Sequence, residues 1–124
     1  MNNQISQNNH QNHPFDLEKR TLIFAKSVRD FCKQLPKSLS NREYVEQIIR
    51  SSGSVGANYI EANESLSKKD FIMRIKISRK ETKETRYWLE LIEINEIQKN
   101  ELNKLQQEST ELLKIFSSII EKSL

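Results

Sequence analysis

The side chains able to do chemistry in this chain are few, and their spacing suits little of it. His10 and His13 stand three apart in "MNNQISQNNHQNHP", a spacing open to a metal ion, but no cysteine accompanies them and the segment reads as a tail without a metal site. Cys32 is the single cysteine, and no histidine outside the tail could activate it, so it reads as a small core residue and not as a nucleophile. The same lack of histidine removes a Ser-His-Asp triad and the inward Glu-x-x-His pairs of a di-iron bundle. Carboxylates pair at Glu61/Glu64 and Glu81/Glu84, a spacing that is commonplace on helices. Glu84 stands out because its row is otherwise apolar, and an ion pair with Arg50 or Arg74 would account for it. The stretch "IIRSSGSVGANYIEA", residues 48–62, holds both glycines, yet it lacks the Gly-x-Gly-x-x-Gly spacing, the Lys-Ser/Thr ending and the preceding strand of a phosphate loop. These residues predict no enzyme, no cofactor and no small-molecule substrate.

Charge is more informative. Residues 1–67 carry eight basic and seven acidic groups, residues 68–86 eight and three, and residues 87–124 four and seven. The basic excess therefore belongs to one segment. At 100° per residue on a helix, Lys68, Lys69, Lys76, Arg79, Lys80, Lys83 and Arg86 fall within an arc of about 120°, and only Arg74 lies elsewhere. A basic stripe of this kind suits a polyanion, because neutralising phosphates releases counterions. Tyr87 and Trp88 are read as pointing away from that arc, so contact with nucleic acid would be led by backbone and shape. The alternative is a solvated face serving solubility or an acidic protein partner.

The elements that carry these residues are helical. Charged residues make up 30% and hydrophobic ones 35%, with two glycines and two prolines, a balance that turn-dense β folds do not have. No apolar run could span a bilayer and the first residues do not form a secretory signal, so a cytoplasmic protein is expected. Residues 1–14, with five Asn and three Gln, read as a disordered tail; residues 15–124 read as one domain. Leu17, Phe24, Val28, Phe31 and Leu35 repeat at helical steps until Pro36. A second helix is expected to open at Ser40 with Glu43 as a capping box, and a third at Ser67 with Asp70, running to about Asn95. A fourth starts near Gln98 or Asn100 and shows Leu102, Leu105, Leu112, Phe116 and Ile119. The short connections predict an all-α, antiparallel, up-down-up-down four-helix bundle.

Two faces of that bundle call for a neighbour. Glycine in a helix interior costs about 1 kcal/mol relative to alanine, so a packing reason is expected. Ser52 and Gly56 share one face, and Gly53 and Ala57 form the adjacent row, which predicts a helix thinned for close approach. On the third helix, Phe71, Ile75, Ser78, Thr82, Thr85 and Leu89 form the bundle-facing row. Met73, Ile77, Glu84, Tyr87, Trp88 and Leu91 make a second one, and the combined apolar arc is near 200°, wider than a bundle helix needs. Another copy of the chain is the expected cover.

The segments "YVEQIIRSSGSVGANYIEA" and "SKKDFIMRIKISRKETKETRYWLELI" resemble the four-helix bundle family whose founders are encoded in intervening sequences of bacterial 23S rRNA genes. The matching positions are Arg50-Ser51-Ser52, Gly56-Ala57-Asn58 and Ile60-Glu61-Ala62, then Phe71, Ile75, Ser78, Glu84 and "YWLEL" at 87–91. The chain departs from the family at Asn63-Glu64, where a glycine usually ends the second helix, and at "NEIQKN", 95–100, where a Gly-Tyr-like turn is common. The resemblance implies small bundles that form rings of five subunits, without catalytic activity. It also implies a link to RNA, since relatives accompanying diversity-generating reverse transcriptases use a basic pentameric barrel to engage RNA and the enzyme.

Overall fold

The computed structural model describes residues 14–124, and the tail histidines His10 and His13 lie outside them. Four helices follow one another, α1 (Pro14–Cys32), α2 (Leu39–Asn63), α3 (Lys68–Leu91) and α4 (Lys99–Ser123), with one 3-10 turn at Glu96–Gln98 and no strand among the described residues. Partners across each pair run in opposite directions along the chain. Ser51 meets Thr85, Val55 meets Ser78 and Asn58 meets Arg74, so α2 and α3 are antiparallel. Arg86 meets Thr110 and Arg79 meets Ser117 between α3 and α4. Glu18 meets Asn63 at one end of the α1–α2 pair. Each helix thus packs on its neighbours in sequence, and α4 closes the bundle against α1 through Arg20, whose guanidinium donates to Glu108 at 2.7 and 2.8 Å and to Glu111 at 3.0 Å. The bond to Glu108 holds the Arg20 proton more tightly than usual.

The core is the set of apolar rows closed against one another. Leu17, Phe24, Val28 and Phe31 from α1, Ile48, Val55 and Tyr59 from α2, Ile75 and Leu89 from α3, and Leu105, Leu112 and Phe116 from α4 are all buried. Tyr59 and Phe116 meet across it with ring centroids 6.3 Å apart. The heptad-like row expected on α4 is the buried one, with Leu102 and Ile119 at its edges.

Helix ends differ from the expectation at three places. α1 stops at Cys32 and reaches Pro36 through tighter turns, closed by Gln34 N to Phe31 O (3.1 Å) and Leu35 N to Cys32 O (3.3 Å). α2 is capped by Ser38, whose side chain accepts from the Asn41 backbone N–H, and not by Ser40. Ser40 instead donates to Glu93 at 3.0 Å. α3 is capped by Ser67 as expected, but it stops at Leu91, short of Asn95. The reason is tertiary: Ile92 leaves the helix in extended conformation and is buried, and the next residue is gripped by Asn41. Buried Asn41 donates from Nδ2 to Pro36 O (2.8 Å) and Glu93 O (2.9 Å), and its Oδ1 accepts from Glu93 N (2.9 Å). Gln98 adds a 2.6 Å bond from Nε2 to Gln34 O. At the other end α2 stops at Asn63 with Glu64 at φ −97°, and no described residue has positive φ. Neither departure from the family pattern therefore needs a glycine, because neither turn uses left-handed backbone.

The small-residue stripe of α2 divides in two. Gly56 faces α1, and a Cβ built there would lie 2.8 Å from Thr21 Oγ1 and 3.1 Å from Thr21 Cβ. Ser52 is buried on the same row. Close packing at Gly53 and Ala57, however, is not what the structure has. Both are exposed, and a Cβ at Gly53 meets nothing within 4 Å. The reason is angular: α1 covers only the Ser52/Gly56 side of α2, and the adjacent row has rotated into solvent.

Candidate nucleic-acid interface

α3 has neighbours on two sides, and its residues sort accordingly. Toward the core, Ile75, Ser78, Thr82, Thr85 and Leu89 are buried. Their small hydroxyl side chains permit a tight α2–α3 contact: Ser78 donates to Val55 O at 2.9 Å and Ser51 shares a 2.7 Å hydrogen bond with Thr85. Thr82 and Thr85 donate their hydroxyls to carbonyls one turn back, Ser78 O at 2.8 Å and Glu81 O at 2.9 Å.

The side facing α2 accounts for much of the second row. Trp88 is half-buried and packs on Tyr44 with centroids 6.1 Å apart. Arg50 reaches Glu84 at 2.9 Å and buried Glu81 at 3.4 Å, so the carboxylate in the apolar row has its partner within the chain. α2 thus contacts two members of the second row, Trp88 and Glu84, and both keep part of their surface exposed. Met73, Tyr87 and Leu91 stay exposed, and Ile77 is half-buried.

The side facing α4 takes two members of the basic arc. Arg79 donates to Ser117 at 3.3 Å and Arg86 to Thr110 at 3.4 Å, and both are half-buried. What faces solvent is lysine: Lys68, Lys69, Lys76, Lys80 and Lys83 are all exposed. Among the described residues none of the five forms an ion pair. Lys69, Lys76 and Lys80 rim an apolar strip of Ile72, Met73 and Ile77. A row of unneutralised ammonium groups on a convex helix face can hold phosphates as point charges, without the bidentate geometry arginine would give.

One residue of this face was misjudged from the sequence. Tyr87 does not point away from the lysines. It is 56% exposed and stands one turn beyond Lys83, on the outward line of Lys69, Lys76 and Lys80. The signal was available: the 69, 76, 80, 83, 87 spacing is a run of three-, four- and seven-residue steps.

The other candidate residues stand apart from this face. Cys32 is buried near the α1–α2 turn, and burial pushes its thiol up to about 11, the opposite of what a nucleophile needs. Glu61 and Glu64 are exposed at the end of α2. Among the described residues no three His, Cys, Asp or Glu side chains cluster as a metal site, and no helix is long and apolar enough to cross a membrane.

The sequence model of the 23S rRNA-intervening sequence proteins matches residues 15–118, from the start of α1 to near the end of α4. The chain belongs to this family. A crystal structure from Bacteroides thetaiotaomicron, of a protein of unknown function in the S23 ribosomal protein family, superimposes with a TM-score of 0.72 at 34% identity, covering 87% of this chain and 97% of that one. None of the curated proteins matches the chain.

Proposed function

We propose that this member of the 23S rRNA-intervening sequence protein family is a non-enzymatic, RNA-binding accessory protein of the cytoplasm that works as a homo-oligomer. The observation that carries the reading is the exposed lysine row of α3, which has no carboxylate partner among the described residues. Clustered like charges weaken a helix unless something relieves them, and phosphates relieve them with release of counterions. The family resemblance supports both RNA as the polyanion and an assembly of five subunits. Exposed Met73 and Leu91, with Ile77 beside them, supply the apolar edge for contact between copies.

The test is fluorescence anisotropy of labelled structured RNA at two salt concentrations, on the wild type and a Lys76→Glu/Lys80→Glu/Lys83→Glu variant. Binding should weaken with salt and be lost in the variant. No binding at low salt would turn the reading to a protein-interaction scaffold whose partner is acidic. Light scattering on Met73→Asp checks the assembly: the mass should fall, and an unchanged mass removes this edge as the contact.

A further inference from the structure

The lysine row does not end in solvent; it ends on an aromatic ring. Lys69, Lys76, Lys80, Lys83 and Tyr87 follow one line down the outward side of α3 and are all exposed. At 1.5 Å per residue the line is about 27 Å long. Tyr87 is not a loose side chain on that line. Its ring meets Trp88 edge-on, with centroids 5.5 Å apart and planes at 68°, and Trp88 rests in turn on Tyr44 of α2. The ring is thus braced from within the bundle while Tyr87 as a whole stays 56% exposed. Arg86 and Arg79 lie to the side of this line, half-buried toward α4, with one N–H each on Thr110 and Ser117.

We infer that the strand held by this face is unpaired: the lysines follow its phosphates and Tyr87 stacks on one of its bases. The inference rests on the RNA-binding reading above and sharpens it. In a duplex both faces of every internal base are already stacked, so a tyrosine at the end of a phosphate track gains nothing there. An unpaired base offers a free face, and stacking on it is tolerant of sequence because every base has one. The length of the line suits a run of about four or more unpaired nucleotides.

The experiment compares a labelled, unstructured 12-nucleotide RNA with a blunt RNA duplex of the same length and with the same single strand as DNA. The proteins are the wild type, Tyr87→Ala, Tyr87→Phe and the triple lysine variant. The single strand should bind roughly ten-fold or more tighter than the duplex, and Tyr87→Ala should lose about ten-fold on the single strand alone. Tyr87→Phe, which keeps the ring, should bind as the wild type does. The salt slope should be unchanged in Tyr87→Ala, since no phosphate contact is lost, whereas the triple variant should bind neither strand nor duplex. Equal affinity for strand and duplex, with Tyr87→Ala unaffected and the lysine variant dead, would overturn this inference while leaving the RNA reading intact. No binding of any probe at low salt would overturn both. A fall in particle mass on Tyr87→Ala would assign the ring to a contact between copies and overturn the stacking role. Tighter binding of the DNA strand would overturn the assignment to RNA.

Discussion

Alanine at Gly53 and alanine at Gly56 are the same chemical change three residues apart on one helix, and they should move stability in opposite directions. At Gly53 the new methyl group meets nothing within 4 Å, so only the backbone term remains, a gain of about 1 kcal/mol for alanine over glycine in a helix interior. At Gly56 the same gain is set against a contact of 2.8 Å with Thr21 Oγ1 and 3.1 Å with Thr21 Cβ. Thr21 cannot easily retreat. It is 1% exposed, and its hydroxyl already donates to Leu17 O at 2.9 Å and Glu18 O at 3.0 Å. Overpacking of this kind costs about 1–3 kcal/mol, which leaves Gly56→Ala a net loss of about 1 kcal/mol. The two variants should then differ by about 2 kcal/mol, or roughly 8 °C in midpoint for a domain of this size. Urea and thermal unfolding followed by circular dichroism read both values. The double variant Thr21→Ala/Gly56→Ala removes the 2.8 Å contact, so the cost of Gly56→Ala should shrink in the Thr21→Ala background. A Gly56→Ala protein as stable as Gly53→Ala, or a cost unchanged by Thr21→Ala, would refute the claim that α1 sits hard on α2 at this point.

Asn41→Ala should cost about 2–4 kcal/mol in urea unfolding, because it strands two carbonyls and one N–H that the amide satisfies, part-buried at the junction of two loops. The thiol of Cys32 has its pKa raised by burial to about 11, so folding favours its neutral form. That contribution is complete below roughly 8.5, the ordinary thiol value, and is lost as pH rises through about 11. Alkylation by iodoacetamide at pH 9 should accordingly be slow in the native protein and fast in urea, and a fast native reaction would contradict the burial.

Periodicity carried the core, because side-chain direction on a helix follows from position alone. The row Ile75, Ser78, Thr82, Thr85, Leu89 could be read without coordinates for that reason. The same arithmetic could not say where the neighbouring helices stand around α3. It therefore offered Trp88 wholly to another subunit, although Trp88 packs on Tyr44 of α2, whereas Glu84 pairs with Arg50, one of the two partners its place in an apolar row suggests. Gly53 and Ala57 were misread in the same way, since a row of small residues announces a possible approach and only the position of α1 decides which row receives it. Helix ends depended on partners distant in sequence. Ser38 and Ser40 are both competent caps, and Ser40 is drawn to Glu93, 53 residues away. Tyr87 was a different error, a residue legible by spacing but read by its neighbour Trp88.

Asn41 bears on more than the strength of the bundle. Its three hydrogen bonds tie the turn after α1 to the turn after α3, groups that come together only once the α1–α2 hairpin has docked on the α3–α4 hairpin. The apolar rows on those hairpins repeat every three or four residues, so greasy surfaces alone would match nearly as well if one hairpin slid along the other by a turn. A slid arrangement would bury the amide beside no carbonyl and leave Glu93 N–H without an acceptor. One asparagine therefore acts as a register pin: besides the stability its bonds supply, it sets where along their length the hairpins stop. A leucine in its place would permit several alignments of the same four helices, and with them several spacings between the lysine track and the ends of the molecule.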